Sequence, residues 1–263
     1  MLIKQIPLRN SLRNYMYLLV CEQTHEALAI DPLDHAQCLS VADEQGWEIT
    51  KVLNTHHHHD HIGGNGPVIA ATDARLYAHH AVGDKIPGVD VGLQANDVVS
   101  IGEASLLVMD TPGHTMSDIC LYYAGDDNNL PALFSGDILF NAGAGNCHNG
   151  GSVEILYTTF AEQLSILADN VRVFPGHDYI ENNLRFALDR EPGNAMAEQL
   201  LQQFSEGLDA ESFVTDMALE RQINVFLRLE NQTVISRLQE QQQLVSTDPQ
   251  AVFAALRALR NHW

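Results

Sequence analysis

Thr55-His56-His57-His58-His59-Asp60-His61, followed by Ile62-Gly63-Gly64, holds the pattern His-x-His-x-Asp-His. Imidazole and carboxylate are the donors of a hydrolytic divalent-metal site. In an extended segment side chains alternate, which puts His56, His58 and Asp60 on one side. A turn at Gly63-Gly64 would then bring His61 round to join them. The apolar run from Ile49 to Leu53 reads as a buried strand that delivers the cluster to its end. A run of histidines is also what a purification tag or a metal-sticky surface tract looks like. A tag belongs at a terminus, whereas this run is interior to a strand–loop pattern. Three further islands add donors: Thr111-Pro112-Gly113-His114-Thr115, Phe134-Ser135-Gly136-Asp137 and Phe174-Pro175-Gly176-His177. Each follows a short apolar strand and sits beside Gly or Pro, the placement of a ligand on a strand-end loop.

Those four islands, in that order, resemble the metallo-β-lactamase superfamily. The resemblance implies an α+β fold, a four-layer αββα sandwich with two divalent metal ions at one edge of the paired sheets. It assigns His56, His58 and His114 to the first metal, and Asp60, His61 and His177 to the second, with Asp137 bridging. Asp60 and Asp137 would also be catalytic, orienting the attacking water or accepting its proton. His57 and His59, lying between ligands, are expected to point elsewhere. Zinc is the first expectation, but iron and manganese accept the same mixed His/Asp set.

The elements that must position these residues are legible in outline. Tyr15–Cys21, Ala27–Ile30, Leu76–Ala78, Leu106–Met109, Ile119–Tyr123 and Leu130–Phe134 read as short strands divided by Gly, Asp and Asn turns. His35–Gln45 reads as a crossover helix, and Val153–Leu167 as an amphipathic one. Val171–Phe174 is the last strand in the pattern. After His177 the character changes to helix: Tyr179–Asp189, Met196–Phe204, Ala210–Phe226 and Pro249–Arg260. A boundary is expected near residue 175, separating a domain of residues 1–175 from a helical domain of residues 176–263.

Composition narrows the function. The 263 residues are 45% hydrophobic, enough for one large domain with an appendage. Fourteen Lys and Arg against 34 Asp and Glu give a formal charge of −20. Such a surface argues against nucleic acid and anionic membranes as partners. No apolar run is long enough for a signal peptide at the start, or reaches the roughly 20 residues of a membrane span. Cys21, Cys38, Cys120 and Cys147 lack CxxC spacing and read as reduced thiols of a cytoplasmic protein.

The tail is similar to the C-terminal domain of the glyoxalase II branch, the hydroxyacylglutathione hydrolases. The resemblance rests on Asn224-Val225-Phe226-Leu227-Arg228, on the ending Val252 to Asn261, and on Pro175-Gly176-His177-Asp178-Tyr179. It extends to the opening, Ile6-Pro7 through Asn14-Tyr15. By position, Arg257 and Arg260 match basic residues that hold a carboxylate of the glutathione moiety. Three apart on a helix, they face the same way, and arginine suits carboxylates. The plainer reading is two solvated arginines on an amphipathic helix. Tyr179 matches a tyrosine that contacts the glutathione backbone; the plainer reading is a half-buried tyrosine. One stretch departs from the family. Where a basic residue and a substrate-contacting tyrosine are usual, this chain has Asn146 and His148. The resemblance implies hydrolysis of a small-molecule thioester, S-lactoylglutathione giving lactate and glutathione. Three other readings share parts of the pattern. A persulfide dioxygenase has a single iron and fewer of these ligands. A nuclease with the same His-x-His-x-Asp-His motif would need a basic patch. A metal-binding scaffold without activity would have lost a ligand.

Overall fold

The structure, a computed structural model, describes residues 1–263. The chain divides into two compact units, Met1–Thr111 with Ser117–Gly136, and Pro112–Met116 with Asp137–Trp263.

The first unit carries, in chain order, β1 (Leu2–Pro7), β2 (Tyr15–Val20), β3 (Glu26–Ile30), α1 (His35–Gln45), β4 (Glu48–Leu53), α2 (His59–Ile62), α3 (Asn65–Thr72), β5 (Arg75–His79), β6 (Val91–Leu93), β7 (Val98–Ile101), β8 (Ala104–Asp110), β9 (Ile119–Tyr123) and β10 (Ala132–Gly136). Strands β1 to β6 form one sheet in sequence order. It is antiparallel through β3 and parallel from β3 to β6. Strands β7 to β10 form an antiparallel meander. Alternation explains why β2 is buried along its whole length. Met16, Leu18 and Val20 join a core with Cys38 and Ala42 of α1 and Val68 of α3. Tyr17, on the opposite face, meets Phe134 of β10 edge-on at 5.5 Å between ring centroids. Helix α1 starts where Asp34 accepts a hydrogen bond from Gln37 N at 3.0 Å, and stops at Gly46, φ 66°.

The parallel register decides where chemistry collects. Ile30 of β3 pairs with Leu53 of β4. Asp31 and the Asn54–Thr55 pair therefore leave the sheet side by side, at the carboxyl ends of parallel strands, where α/β sheets build their sites.

The second unit carries β11 (Leu139–Phe140), β12 (Gly143–Ala144), α4 (Val153–Thr159), β13 (Arg172–Pro175), α5 (Ile180–Arg190), α6 (Ala195–Ser205), β14 (Thr215–Asp216), α7 (Met217–Ile223), α8 (Gln232–Glu240) and α9 (Pro249–Arg260). Its helices pack around Ile180, Leu184, Leu200, Phe204 and Ile223. A second cluster sets Phe160 and Phe226 each edge-on to Phe253, with centroids 5.2 Å apart in both pairs. Two expected helices are corrected here. Val153–Leu167 is α-helical only to Thr159 and then widens into a π-turn over Phe160–Leu164. Ala210–Phe226 is not one helix: Thr215 pairs with Val173 in β14, and Asp216 caps α7 by accepting from Leu219 N at 2.8 Å. Val171–Phe174 is accordingly not the last strand.

None of the four cysteines is in a disulfide; three are buried and Cys147 is half-buried. Burial pushes the Cys38 and Cys120 thiols up to about 12, which leaves them unreactive. No helix is long and apolar enough to cross a membrane.

Glu220 of α7 is fully buried under the β11–β12 turn, and both its oxygens accept from Ala142 N, at 3.1 and 3.0 Å. Burial raises its carboxyl from 4.5 to about 7, against the pull of Thr215, Asn224, Ala142 and Asn141. Between those values the folded chain holds a proton that the unfolded chain has released. Stability from this group is therefore present below about pH 4.5 and is lost as pH rises to about 7. Urea unfolding of wild type and Glu220→Gln across pH 4 to 8 should show wild type losing ground to the variant through that window. A pH-independent difference would contradict the assignment.

Candidate metal centre and substrate pocket

The first unit contributes His56, His58, Asp60 and His61, and their placement corrects the extended reading. The extended backbone ends at His58, φ −67° and ψ 146°, and Asp60 and His61 are consecutive residues of the short helix α2. The expected turn does form at Gly63-Gly64, between α2 and α3, with Gly63 itself in helical conformation, φ −60° and ψ −26°. The glycine that matters is Gly64. A Cβ on it would lie 1.7 Å from Pro32 O, so only glycine lets this turn lie against the loop that follows β3.

The histidines are held from behind. Asp31, buried, accepts from Thr55 N at 2.8 Å and from Thr55 Oγ1 at 2.6 Å, and its Oδ2 lies 2.9 Å from His61 Nδ1. A carboxylate only accepts, so His61 Nδ1 carries the proton and Nε2 keeps its lone pair. The single O–H of Thr55 is directed to Asp31. His56 Nδ1, 3.1 Å away, therefore donates to Thr55, which makes Nε2 the nitrogen that His56 could offer a metal. That Nε2 stands 3.1 Å from His58 Nδ1, and His61 Nε2 stands 3.5 Å from Asp60 Oδ2. Asn14 Nδ2 fixes Asp60 from the side, donating to its Oδ2 at 3.0 Å and its carbonyl at 3.1 Å. His57 instead reaches Ser117 Oγ at 3.3 Å, and His59 is exposed at the start of α2.

The second unit contributes His114, Asp137 and His177. Asp137 Oδ2 lies 3.6 Å from His114 Nε2 and 3.2 Å from His177 Nε2. His114 Nδ1 donates to the Asn146 carbonyl at 2.6 Å, which presents Nε2 forward. His177 stacks on Tyr179, with rings 5.0 Å apart and 7° from parallel, and the tyrosine hydroxyl is 3.2 Å from His177 Nδ1. Gly145 is required between these parts, since a Cβ there would fall 1.8 Å from the Asp137 carbonyl.

The donor set fits a divalent ion. Two ligands bound at about 2.0–2.2 Å in tetrahedral geometry lie about 3.3–3.6 Å apart. The four gaps in the two units, 3.1, 3.5, 3.6 and 3.2 Å, lie close to that spacing. Asp31 also lies within 4.8 Å of the donor atoms of His56 and His61. Its oxygens are already committed to Thr55 and His61, so it orients the His61 ring rather than offering a donor of its own.

A cavity of about 280 Å³ in the second unit is lined by all five residues expected at a substrate site: Tyr179, Arg257, Arg260, Asn146 and His148. Phe140, Asn182, Asn261 and Trp263 complete much of its wall. Arg260 donates through Nε and Nη2 to Asn183 Oδ1, at 3.3 and 3.0 Å. Trp263 is tied by its indole N–H to Asn182 Oδ1 at 3.2 Å and packs edge-on against Phe186. His148 is exposed, and Asn146 half-buried.

Residues 19–177 match the family described as metallo-beta-lactamase superfamily, and residues 178–263 that described as hydroxyacylglutathione hydrolase C-terminus. The chain is 53% identical to a hydroxyacylglutathione hydrolase of Nitrosococcus oceani and 55% identical to one of Polaromonas sp., in each case over 100% of both chains. Among solved structures, ETHE1 from Myxococcus xanthus matches with a TM-score of 0.68 at 26% identity, over 99% of this chain and 98% of that one. The B3 metallo-beta-lactamase BLEG-1 matches with 0.65 at 23% identity, over 86% and 99%, a likeness of fold alone.

Proposed function

The chain belongs to the metallo-β-lactamase superfamily, in its glyoxalase II branch, and from that premise we propose that it hydrolyses S-lactoylglutathione to lactate and glutathione. It is a metal-dependent thioester hydrolase with the α+β fold of its superfamily. The observation that carries the reading is the state of the donors. Every ligand type the family requires is present, and His56, His61 and His114 each have one nitrogen engaged behind and the other presented.

By the family's pattern, His56, His58 and His114 would hold one ion and Asp60, His61 and His177 the other, with Asp137 shared between them. Zinc is the metal expected, with iron and manganese as the alternatives that elemental analysis separates. When bound, the ions acidify a water and polarise the thioester carbonyl. Asp60 and Asp137 would orient that water and accept its proton. The departing thiolate belongs to a thiol with a pKa of about 8.5, so it leaves without a separate general acid. Residues 176–263 serve as the substrate-binding domain, and the enzyme works in the cytoplasm. Tyr179 lines the pocket for the thiol carrier, and Arg260 meets its carboxylate.

Asn146 stands where the family has a basic residue, so one charge contact is missing. A charged hydrogen bond contributes about 1.5–3 kcal/mol, or roughly tenfold or more in affinity. Initial rates should be measured across thioesters of glutathione, coenzyme A and simple thiols, following free thiol and oxygen. S-lactoylglutathione is expected to be hydrolysed fastest, without oxygen uptake, at a high KM that Asn146→Lys lowers by about tenfold. The substitution keeps the carbonyl that holds His114. A faster coenzyme A thioester, with Asn146→Lys inert, would sink glutathione as the carrier.

A further inference from the structure

We propose that Arg257 is a positioning residue, whose guanidinium locks the loop that orients His114. The family position alone would make it an anion clamp beside Arg260. Its surroundings give it other work. Arg257 is only 3% exposed. Its Nη1 donates to the carbonyls of Ala144 and Gly145, at 2.7 and 3.1 Å. Its Nε and Nη2 both donate to Asn261 Oδ1, at 3.1 and 2.9 Å. Four of the five N–H groups of a guanidinium are thereby engaged within the protein. The cation also lies over the Phe226 ring at 5.6 Å. Arg260 differs: its Nε and Nη2 engage one side-chain oxygen, and it stays half-buried in the cavity wall.

The locked segment is the one whose next carbonyl matters. Asn146 O accepts from His114 Nδ1 at 2.6 Å, one residue beyond Gly145. The same segment is hung from three other side chains. Asn183 Nδ2 donates to Asn141 O at 2.9 Å, Asn224 Nδ2 to Gly143 O at 3.1 Å, and Ala142 N donates to Glu220. A turn with so few ladder bonds of its own takes its shape from these anchors. Arg257 is the anchor nearest Asn146. Losing it frees Ala144 and Gly145 together, and the Asn146 carbonyl moves with them. His114 then loses the bond that fixes its tautomer and ring plane.

The inference rests on His114 being a metal ligand, and the experiment keeps the two claims apart. Arg257→Ala, Arg257→Lys and Arg260→Ala would be compared in the full-length metallated protein. Three quantities would be read: kcat and KM separately, metal retained after dialysis against a weak chelator, and the Nδ1–H resonance of His114 by NMR. Partners that orient a metal-ligating histidine typically change metal affinity or activity about 10–100-fold. Arg257→Ala is expected to hold metal about tenfold less tightly and to lower kcat. The His114 resonance should broaden or vanish. Arg260→Ala should raise KM with metal retention unchanged, the pattern of a contact made equally in ground and transition states. Arg257→Lys covers the case in which the alanine variant does not fold. Lysine keeps the charge but loses the fork, so a positioning role predicts weakened metal retention and an anion clamp predicts none. A raised KM alone, with metal and the His114 resonance as in wild type, would overturn the proposal. Loss of the resonance with metal content unchanged would uphold the positioning role and remove His114 from the ligands.

Discussion

Replacing Asp137 by alanine should drop the metal content from about two ions per chain to one or fewer, and hydrolysis by about 10³-fold or more. The carboxylate Oδ2 stands 3.6 and 3.2 Å from the ring nitrogens of His114 and His177, so its loss strips the second unit's donor set of its only anion. A Lewis-acid contact is worth several kcal/mol, and each 1.36 kcal/mol is tenfold in rate. The fold should survive, because the neighbouring strands keep their own apolar core. Elemental analysis of protein purified without an affinity tag, paired with the thioester assay and far-UV circular dichroism, makes the measurement. A fully metallated, active Asp137→Ala enzyme would remove Asp137 as the bridge.

Asp31→Asn should be nearly as damaging, although Asp31 is no ligand. Asparagine tolerates the left-handed backbone at this position, φ 50°, so the change isolates the side-chain chemistry. The amide has one acceptor where the carboxylate had two. Thr55 N, Thr55 Oγ1 and His61 Nδ1 can no longer all be satisfied. A buried donor left without a partner costs about 1–3 kcal/mol, and the orienting carboxylate behind a ligating histidine is worth about 10–100-fold in metal affinity. The expected result is a lower Tm in both the metal-free and loaded protein, with metal binding weakened further. Unchanged metal affinity in a folded variant would show that His61 needs no support from behind.

The residues that could bind metal were readable from sequence because their types are rare and their flanks are strand-like. His56, His114, Asp137 and His177 each stand just beyond a run such as Ile49–Leu53 or Phe134–Gly136. What escaped is what depends on pairing between distant segments. Asp31 looked like the end of a strand, since its importance comes from the β3–β4 register that sets it beside Thr55. Asp31-Pro32 at the close of a buried strand, one sheet position from the histidine motif, was the available signal. Asn14 is engaged with Asp60 across 46 residues, a separation no local pattern reports. The helix expected over Ala210–Phe226 failed because helical periodicity in Met217–Ile223 was extended backward over a segment that Thr215 ties into a strand pair. Trp263 carried no pattern, being a single aromatic after the last helical turn.

The bond from His114 to position 146 runs to a backbone carbonyl, and that has an evolutionary consequence. A backbone contact is indifferent to which side chain is attached. The lip of the pocket can therefore drift through asparagine, lysine or serine without changing the atom that steadies the His114 imidazole. Substrate preference and metal retention, which sit one bond apart, become separately mutable. A library randomised at 146 and 148 should accordingly return many variants that still load metal but prefer different thioesters, making this loop the place to begin retargeting the enzyme.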